Sequence, residues 1–169
     1  MKTTHFFNSR KTQVIVVFFL VIVIVILAVY FMGEKTRNDQ KLSEKKDLII
    51  SWMPAITPTD LDYLMSRDIY AYYGIPGKNY SDLADIRHGS ETELTPYLYP
   101  NGPVCGYSVS HLGFIEIDLF NEMPVNRTTT DEIYQIIEAH GRAVNQGNTP
   151  VLFIRTALVI EDKENLVYP

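Results

Sequence analysis

Cys105 is the one thiol in this chain, and a thiolate with a base beside it is among the simplest nucleophiles a protein can build. Beyond the amino-terminal tail the available bases are His88, His111 and His140. His111 stands six residues along, in "PNGPVCGYSVSHLGFIEIDLF" (100–120). It falls in what reads as a hairpin turn, about 20 Å away along an extended strand at roughly 3.3 Å per residue. It is not the partner. His140 lies on the apolar stripe of a predicted helix that can face the same strands. Cys105 with His140 is therefore the one pair from which a thiol-dependent hydrolase could be assembled. A reactive thiolate wants a helix amino terminus or neighbouring cations, and neither is local. A free cysteine on the buried face of a strand is simply a small apolar side chain, and that reading is preferred.

Glu116 and Asp118 lie two apart on a strand and so share a face, a spacing that suits acid–base work or a shared cation. Calcium needs about six or more oxygens, and no aspartate-rich loop supplies them. Solvated charge on the outer strand face is the expectation. The histidines lack close ligand spacing, and a lone cysteine excludes both a thiolate zinc site and an intramolecular disulfide. There is no glycine-rich phosphate loop and no G-x-S-x-G elbow, so neither a cofactor nor a metal is expected.

Tyrosine is the compositional anomaly: eight of eleven fall between residues 63 and 107. Tyrosine pairs apolar area with a polar tip and is enriched at binding surfaces, which makes Tyr70, Tyr72, Tyr73, Tyr97 and Tyr99 a candidate recognition surface. The same residue also favours strands and loop packing. Asn79-Tyr80-Ser81 and Asn126-Arg127-Thr128 are acceptor triplets for glycosylation.

The elements that must position these residues follow from the pattern. "TPTDLDYLMSRD" has Thr57 as a cap, Pro58 in the first turn and early acids, predicting a short helix to about Ser66. Residues 74–103 hold four glycines and four prolines and read mostly as loop. "VCGYSVS" and "FIEIDLF" flank His111-Leu112-Gly113 as a hairpin. A three-residue loop pairs Ser110 with Phe114 and puts Cys105, Tyr107 and Val109 on one face with Ile115, Ile117 and Leu119. Thr129 with Glu132 makes a capping-box pattern for a helix carrying Ile133, Ile136, Ile137, His140 and Val144, stopping at Gly147. "TPVLFIRTALVI" is then a strand, apolar on both faces as far as Ile154. The order β-β-α-β predicts an α+β domain of two layers.

Ahead of this domain, Val14–Met32 is nineteen residues without charge or proline, enough to span most of a hydrocarbon core roughly 30 Å thick. Its length and its lack of a small-x-small cleavage site favour a retained transmembrane anchor over a cleaved signal peptide. The chain thus parses into a tail (1–13), a transmembrane helix (14–32), a charged solvated stalk (33–47) and a domain (48–169). Basic residues number three before the span and five in the stalk, which by itself favours a cytoplasmic domain. The two acceptor triplets and the acidic domain point the other way, and the C-terminal domain is expected outside the cell. From residue 48 onward there are seven basic and sixteen acidic residues, net −9, which argues against nucleic acid or an anionic lipid surface as the domain's partner.

"YLYPNGPVCGYSVSHLGFIEIDLF" with "DEIYQIIEAHGRAVNQGNTPVLF" carries the pattern Y-P-x-G-P-V-x-G-Y, then D-E-I-Y and a closing P-V-x-F. Over about residues 97–154 this resembles small uncharacterised extracytoplasmic proteins of methanogenic archaea. The resemblance implies membrane attachment and a β-β-α-β unit, with no activity, cofactor or catalytic residue to carry over. A single-pass, non-catalytic binding module at the envelope is the leading expectation, its partner an envelope protein, peptide or polymer taken on the tyrosine-rich loops or a sheet edge. The alternatives are the Cys105–His140 hydrolase and an accessory subunit of a membrane complex. The span's lack of small-x-x-x-small spacing disfavours the latter.

Overall fold

A computed structural model describes residues 10–158, with side chains from Val17 onward. The expected tail as far as residue 9, and residues 159–169 of the expected domain, lie outside the described residues. The chain divides into two compact units between Asp47 and Leu48. In the first, α1 (Arg10–Trp52) is one unbroken helix that takes in both the apolar run and the charged stretch 33–47. Its charged part is held by local bonds such as Gln40 Nε2 to Glu44 Oε1 at 2.9 Å. One helix among the described residues is long and apolar enough to cross a membrane, and none of its apolar window is buried inside the protein. That fits a single-pass anchor or a signal-anchor segment.

The second unit is α+β. Its elements are the last turn of α1, α2 (Pro58–Ser66), β1 (Asp68–Tyr73), α3 (Tyr80–Leu94), a 3₁₀ turn (Thr95–Tyr97), β2 (Val104–Ser110), β3 (Phe114–Phe120), α4 (Arg127–Ala143) and β4 (Val151–Thr156). The sheet order is β1-β4-β3-β2. β2 and β3 form the antiparallel hairpin, β4 lies parallel to β3, and β1 closes the sheet antiparallel to β4. The expected β-β-α-β unit is β2-β3-α4-β4. As a central strand β4 is covered on both sides, with Val151 and Phe153 in one core and Leu152 and Ile154 in the other. This is why its sequence runs apolar without alternating.

The hairpin adopts the three-residue loop, pairing Ser110 with Phe114, and Gly113 takes φ +78°. Tyr107 and Val109 stand opposite Ile117 and Ile115 as expected. Cys105 does not join them. The register shifts between Val104 and Gly106, so Val104 takes the buried place opposite Leu119 at 3% exposure, and Cys105 is the extra, half-buried residue of a bulge.

α3 replaces the expected loop. Asn79 caps it by accepting from Ser81 N–H at 3.1 Å, and Leu83, Ile86, Ser90 and Leu94 form its buried stripe. Only Gly89 of the eight glycines and prolines falls inside the helix; the rest lie outside it on either side. α4 starts earlier than the capping box implied, because Asn126 Oδ1 accepts from Thr129 N–H at 2.9 Å and also from the Thr129 hydroxyl. Thr129 thus serves the cap instead of being it. α4 ends at Ala143, short of Gly147, and Asn145 supplies a positive φ of 59°. The buried face of α4 runs through Thr130, Ile133, Ile137, Glu138 and Gly141, which leaves His140 only half-buried and Val144 exposed.

Glu138 organises the turn into β4. Oε1 accepts from Asn148 N–H and Arg142 Nε, both at 3.0 Å, and Oε2 accepts from Thr149 N–H at 2.8 Å. Burial pushes its carboxyl up, but these bonds outweigh burial and hold it below the usual carboxylate range.

α3 and α4 cover one face of the sheet, making the expected two-layer core. A thinner cover is added on the other face. There Ile49, Leu64, Phe114, Leu152 and Ile154 are buried, with Trp52 and Tyr63 packed against them. This cover buries Glu116, which is not the solvated charge expected. Its Oε1 lies 2.7 Å from Arg67 Nη2 and its Oε2 accepts from Tyr63 OH at 3.2 Å, while Asp118 Oδ1 lies 3.3 Å from the same guanidinium nitrogen. Burial first, then the Glu116 charge, pushes the Asp118 carboxyl up against the opposing pull of Arg67.

Candidate functional site

The sheet has two outer strands, and the chain treats them differently. The β2 side is capped by its own chain: Leu98 bridges to Val104, and Tyr99 N–H donates to Val104 O at 2.8 Å. Arg87 Nε also donates to Tyr107 O at 3.1 Å. Among the described residues β1 ends the sheet order, with no strand paired beyond it. Along that side runs an open groove of about 590 Å³ lined by Leu48, Ile69 to Tyr73, Arg127 and Thr130. Ile69 and Tyr72 belong to one face of the sheet, while Ala71 and Tyr73 belong to the α4 face.

Three of the five expected tyrosines therefore do come together, on β1. They are half-buried and held. Tyr70 OH donates to Val125 O at 3.0 Å while the Arg155 guanidinium lies over its ring. Tyr73 stacks on Tyr134 at 4.5 Å and donates to Asp131 Oδ1 at 2.6 Å. Burial and that carboxylate push its hydroxyl pKa up. Tyr72 packs against Trp52 on the opposite face. The result is an aromatic floor in which the Tyr70 and Tyr73 hydroxyls are already hydrogen-bonded within the domain. Tyr97 and Tyr99 belong to the 3₁₀ turn and the segment after it, away from this groove; Tyr97 OH donates to Glu132, and Tyr99 stays exposed with its ring edge on Phe120. Tyr107 faces α3, its hydroxyl shared with Ser90 at 2.6 Å and its pKa pushed by burial up to about 12.

Cys105 and His140 are not brought together. Cys105 lines a second groove beside β2, with Arg87 and Glu91 of α3 among its neighbours. His140 meets α3 at Gly89 and Glu93, its Nε2 2.8 Å from Glu93 Oε1. Positions 87 and 91 are about 200° around a helix from 89 and 93, at 100° per residue, so thiol and imidazole sit on opposite flanks of α3. Burial, then the negative charge of Asp118, pushes the Cys105 thiol up, the reverse of activation. His88 is exposed near Glu91, and His111, in the hairpin turn, lies 3.5 Å from Asp60 of α2. Among the described residues no cluster of three His, Cys, Asp or Glu side chains is placed to hold a metal ion. Asn79 and Asn126 are both exposed helix caps. Each cap uses Oδ1 and leaves Nδ2, the atom a glycan would take, outside the cap.

With the geometry in place, the family comparison is brief. The chain matches no protein-family model, no curated protein and no solved structure. What it can do rests on its own surface. The β1 edge missed detection because "DIYAYY" shows no alternation: every residue from Ile69 to Tyr73 is half-exposed. Its one legible signal was aromatic density.

Proposed function

We propose that this chain is a membrane-tethered, non-catalytic binding module, anchored by residues 14–32 with its C-terminal domain outside the cell. It takes an extended segment of an envelope partner along the free edge of β1. The groove at that edge is the observation that carries the reading. An added strand gains main-chain hydrogen bonds from the edge, while the groove's alternating walls select side chains. The rival hydrolase loses ground because its nucleophile and base lie on opposite flanks of α3. The acidic domain and the two exposed acceptor asparagines support the outward orientation.

Two measurements test this. In the first, the full chain in detergent micelles is titrated with a library of extended heptapeptides while amide exchange is followed. Binding should slow exchange at 68–73 and leave 104–110 unchanged. If no peptide slows β1, or if a thiol-dependent turnover appears that Cys105→Ser abolishes, the reading is wrong. In the second, modification of Asn79 or Asn126 in membranes, removed by Asn→Gln, reports the side of the domain. A chain whose domain is reached only after permeabilisation refutes the orientation.

A further inference from the structure

We propose that the occupant of the β1 edge is the same strand of a second copy of this chain, paired antiparallel about a two-fold axis near Ala71. The inference rests on reading that edge as the binding surface and names its partner.

The edge carries few of the devices that keep sheets apart. Asp68–Tyr73 contains neither lysine nor proline, the residues that commonly blunt an outer strand. One bulge is present, between Ile69 and Ala71. It confines the regular stretch to Ala71–Tyr73 and places the axis at the small Ala71, where two backbones can approach closely.

Charge selects the occupant. On the α4 face, Asp68 marks the start of β1: its cross-strand partner is Arg155, which pairs on its other side with Leu119 of that face's core. The Arg155 guanidinium is turned onto the Tyr70 ring, and Asp68 is exposed with no ion pair among the described residues. Towards the other end stands Arg127, which acts electrostatically on the Tyr73 hydroxyl. Its side chain is 90% exposed, and its ion-pair contact is a distant 4.0 Å to Asp131. An acid at one end and a base at the other, on one face, is self-complementary when the strand meets itself antiparallel. With Ala71 opposite Ala71 and Tyr70 taken up by the bulge, the Asp68 of each copy falls opposite Tyr73 of its partner, on the same face and beside that partner's Arg127. Two such ion pairs form by symmetry, and a parallel pairing would set acid against acid. A shared membrane adds effective concentration, which suits so short a strand.

The test uses the full chain with Cys105→Ser in neutral phosphatidylcholine vesicles, at several protein-to-lipid ratios. Directly opposed residues hold Cβ atoms about 4.5–5.5 Å apart, close to disulfide reach. Under mild oxidation Ala71→Cys should form covalent dimer at least about tenfold faster than Ser108→Cys on the other outer strand, given that proximity. Asp68→Lys or Arg127→Glu alone should slow the Ala71→Cys reaction, and the two together should restore it. Equal rates at 71 and 108, or a double variant no faster than the singles, overturns the inference. If cross-linking fails while a foreign peptide still slows β1 exchange, self-pairing is wrong and the binding edge stands. If both fail, both readings fall.

Discussion

Glu138→Gln isolates what one buried carboxylate does for this fold. Glutamine has the same shape, but one of its two terminal atoms becomes an NH₂. In either orientation of the amide, one of the N–H groups of Asn148 and Thr149 then faces a donor and loses its acceptor. A buried donor left so costs about 1–3 kcal/mol. The bonds that remain lose the charge that roughly doubles their strength, about 1 kcal/mol more. The expected loss is about 2–4 kcal/mol, a large share of the roughly 5–15 kcal/mol that holds a domain together. Trp52 is the chain's one tryptophan and packs between Tyr72 and Phe114, so its fluorescence during urea unfolding reads this domain alone. The pH dependence provides a second check. Because the native carboxyl lies below its unfolded value, its contribution is complete above the unfolded pKa of about 4.3 and fades as pH falls through the native value. The gap between parent and variant should therefore shrink from about pH 7 to about pH 3. A gap under about 0.5 kcal/mol at neutral pH, or one that does not change with pH, would refute the reasoning.

Other expectations follow from the same packing. Gly141→Ala should destabilise by about 1–3 kcal/mol despite alanine's better helix propensity, because a Cβ there meets Thr149 Oγ1; Thr149→Ala should recover part of the loss in the double variant. Arg67→Met should cost about 2–3 kcal/mol at neutral pH by leaving the Glu116 and Asp118 carboxylates without their cation. That cost should lessen in acid, as the Asp118 carboxyl, already pushed up by burial, takes up its proton, and an acid-independent cost would count against the cluster. Cys105 should alkylate more slowly than a free thiol at neutral pH and speed up as pH rises, while Cys105→Ser leaves urea unfolding within about 1 kcal/mol of the parent. Rapid labelling at neutral pH would mean an activated thiolate.

Much of the fold was legible where one local signal had no competitor. Thr57-Pro58 set the start of α2, parity set the hairpin register, and the uninterrupted apolar run of β4 marked a strand apolar on both faces. The register was legible without its bulge, since nothing in "PVCGY" distinguishes Val104 from Cys105 as the residue turned inward. α3 hid for a different reason. Its stripe of Leu83, Ile86 and Leu94 is completed by Ser90, a polar side chain satisfied by Ile86 O and the Tyr107 hydroxyl, and flanking glycines and prolines masked its ends. Glu116 and Glu138 look like surface charges in sequence. Their burial depends on partners 49 residues away at Arg67 and ten and eleven away at Asn148 and Thr149. The tyrosines of β1 were found by density alone, and density could not tell the held ring of Tyr73 from the exposed ring of Tyr99.

The place of β4 in the sheet also governs when the domain can exist. β1 is made early, yet its one partner strand among the described residues is Val151–Thr156, and β3 finds its second neighbour in the same six residues. Until those residues have emerged, nothing larger than the β2-β3 hairpin can assemble from strands already made. A nascent chain therefore carries Ile69–Tyr73 without its strand partner throughout the synthesis of about eighty residues, given the span from β1 to β4.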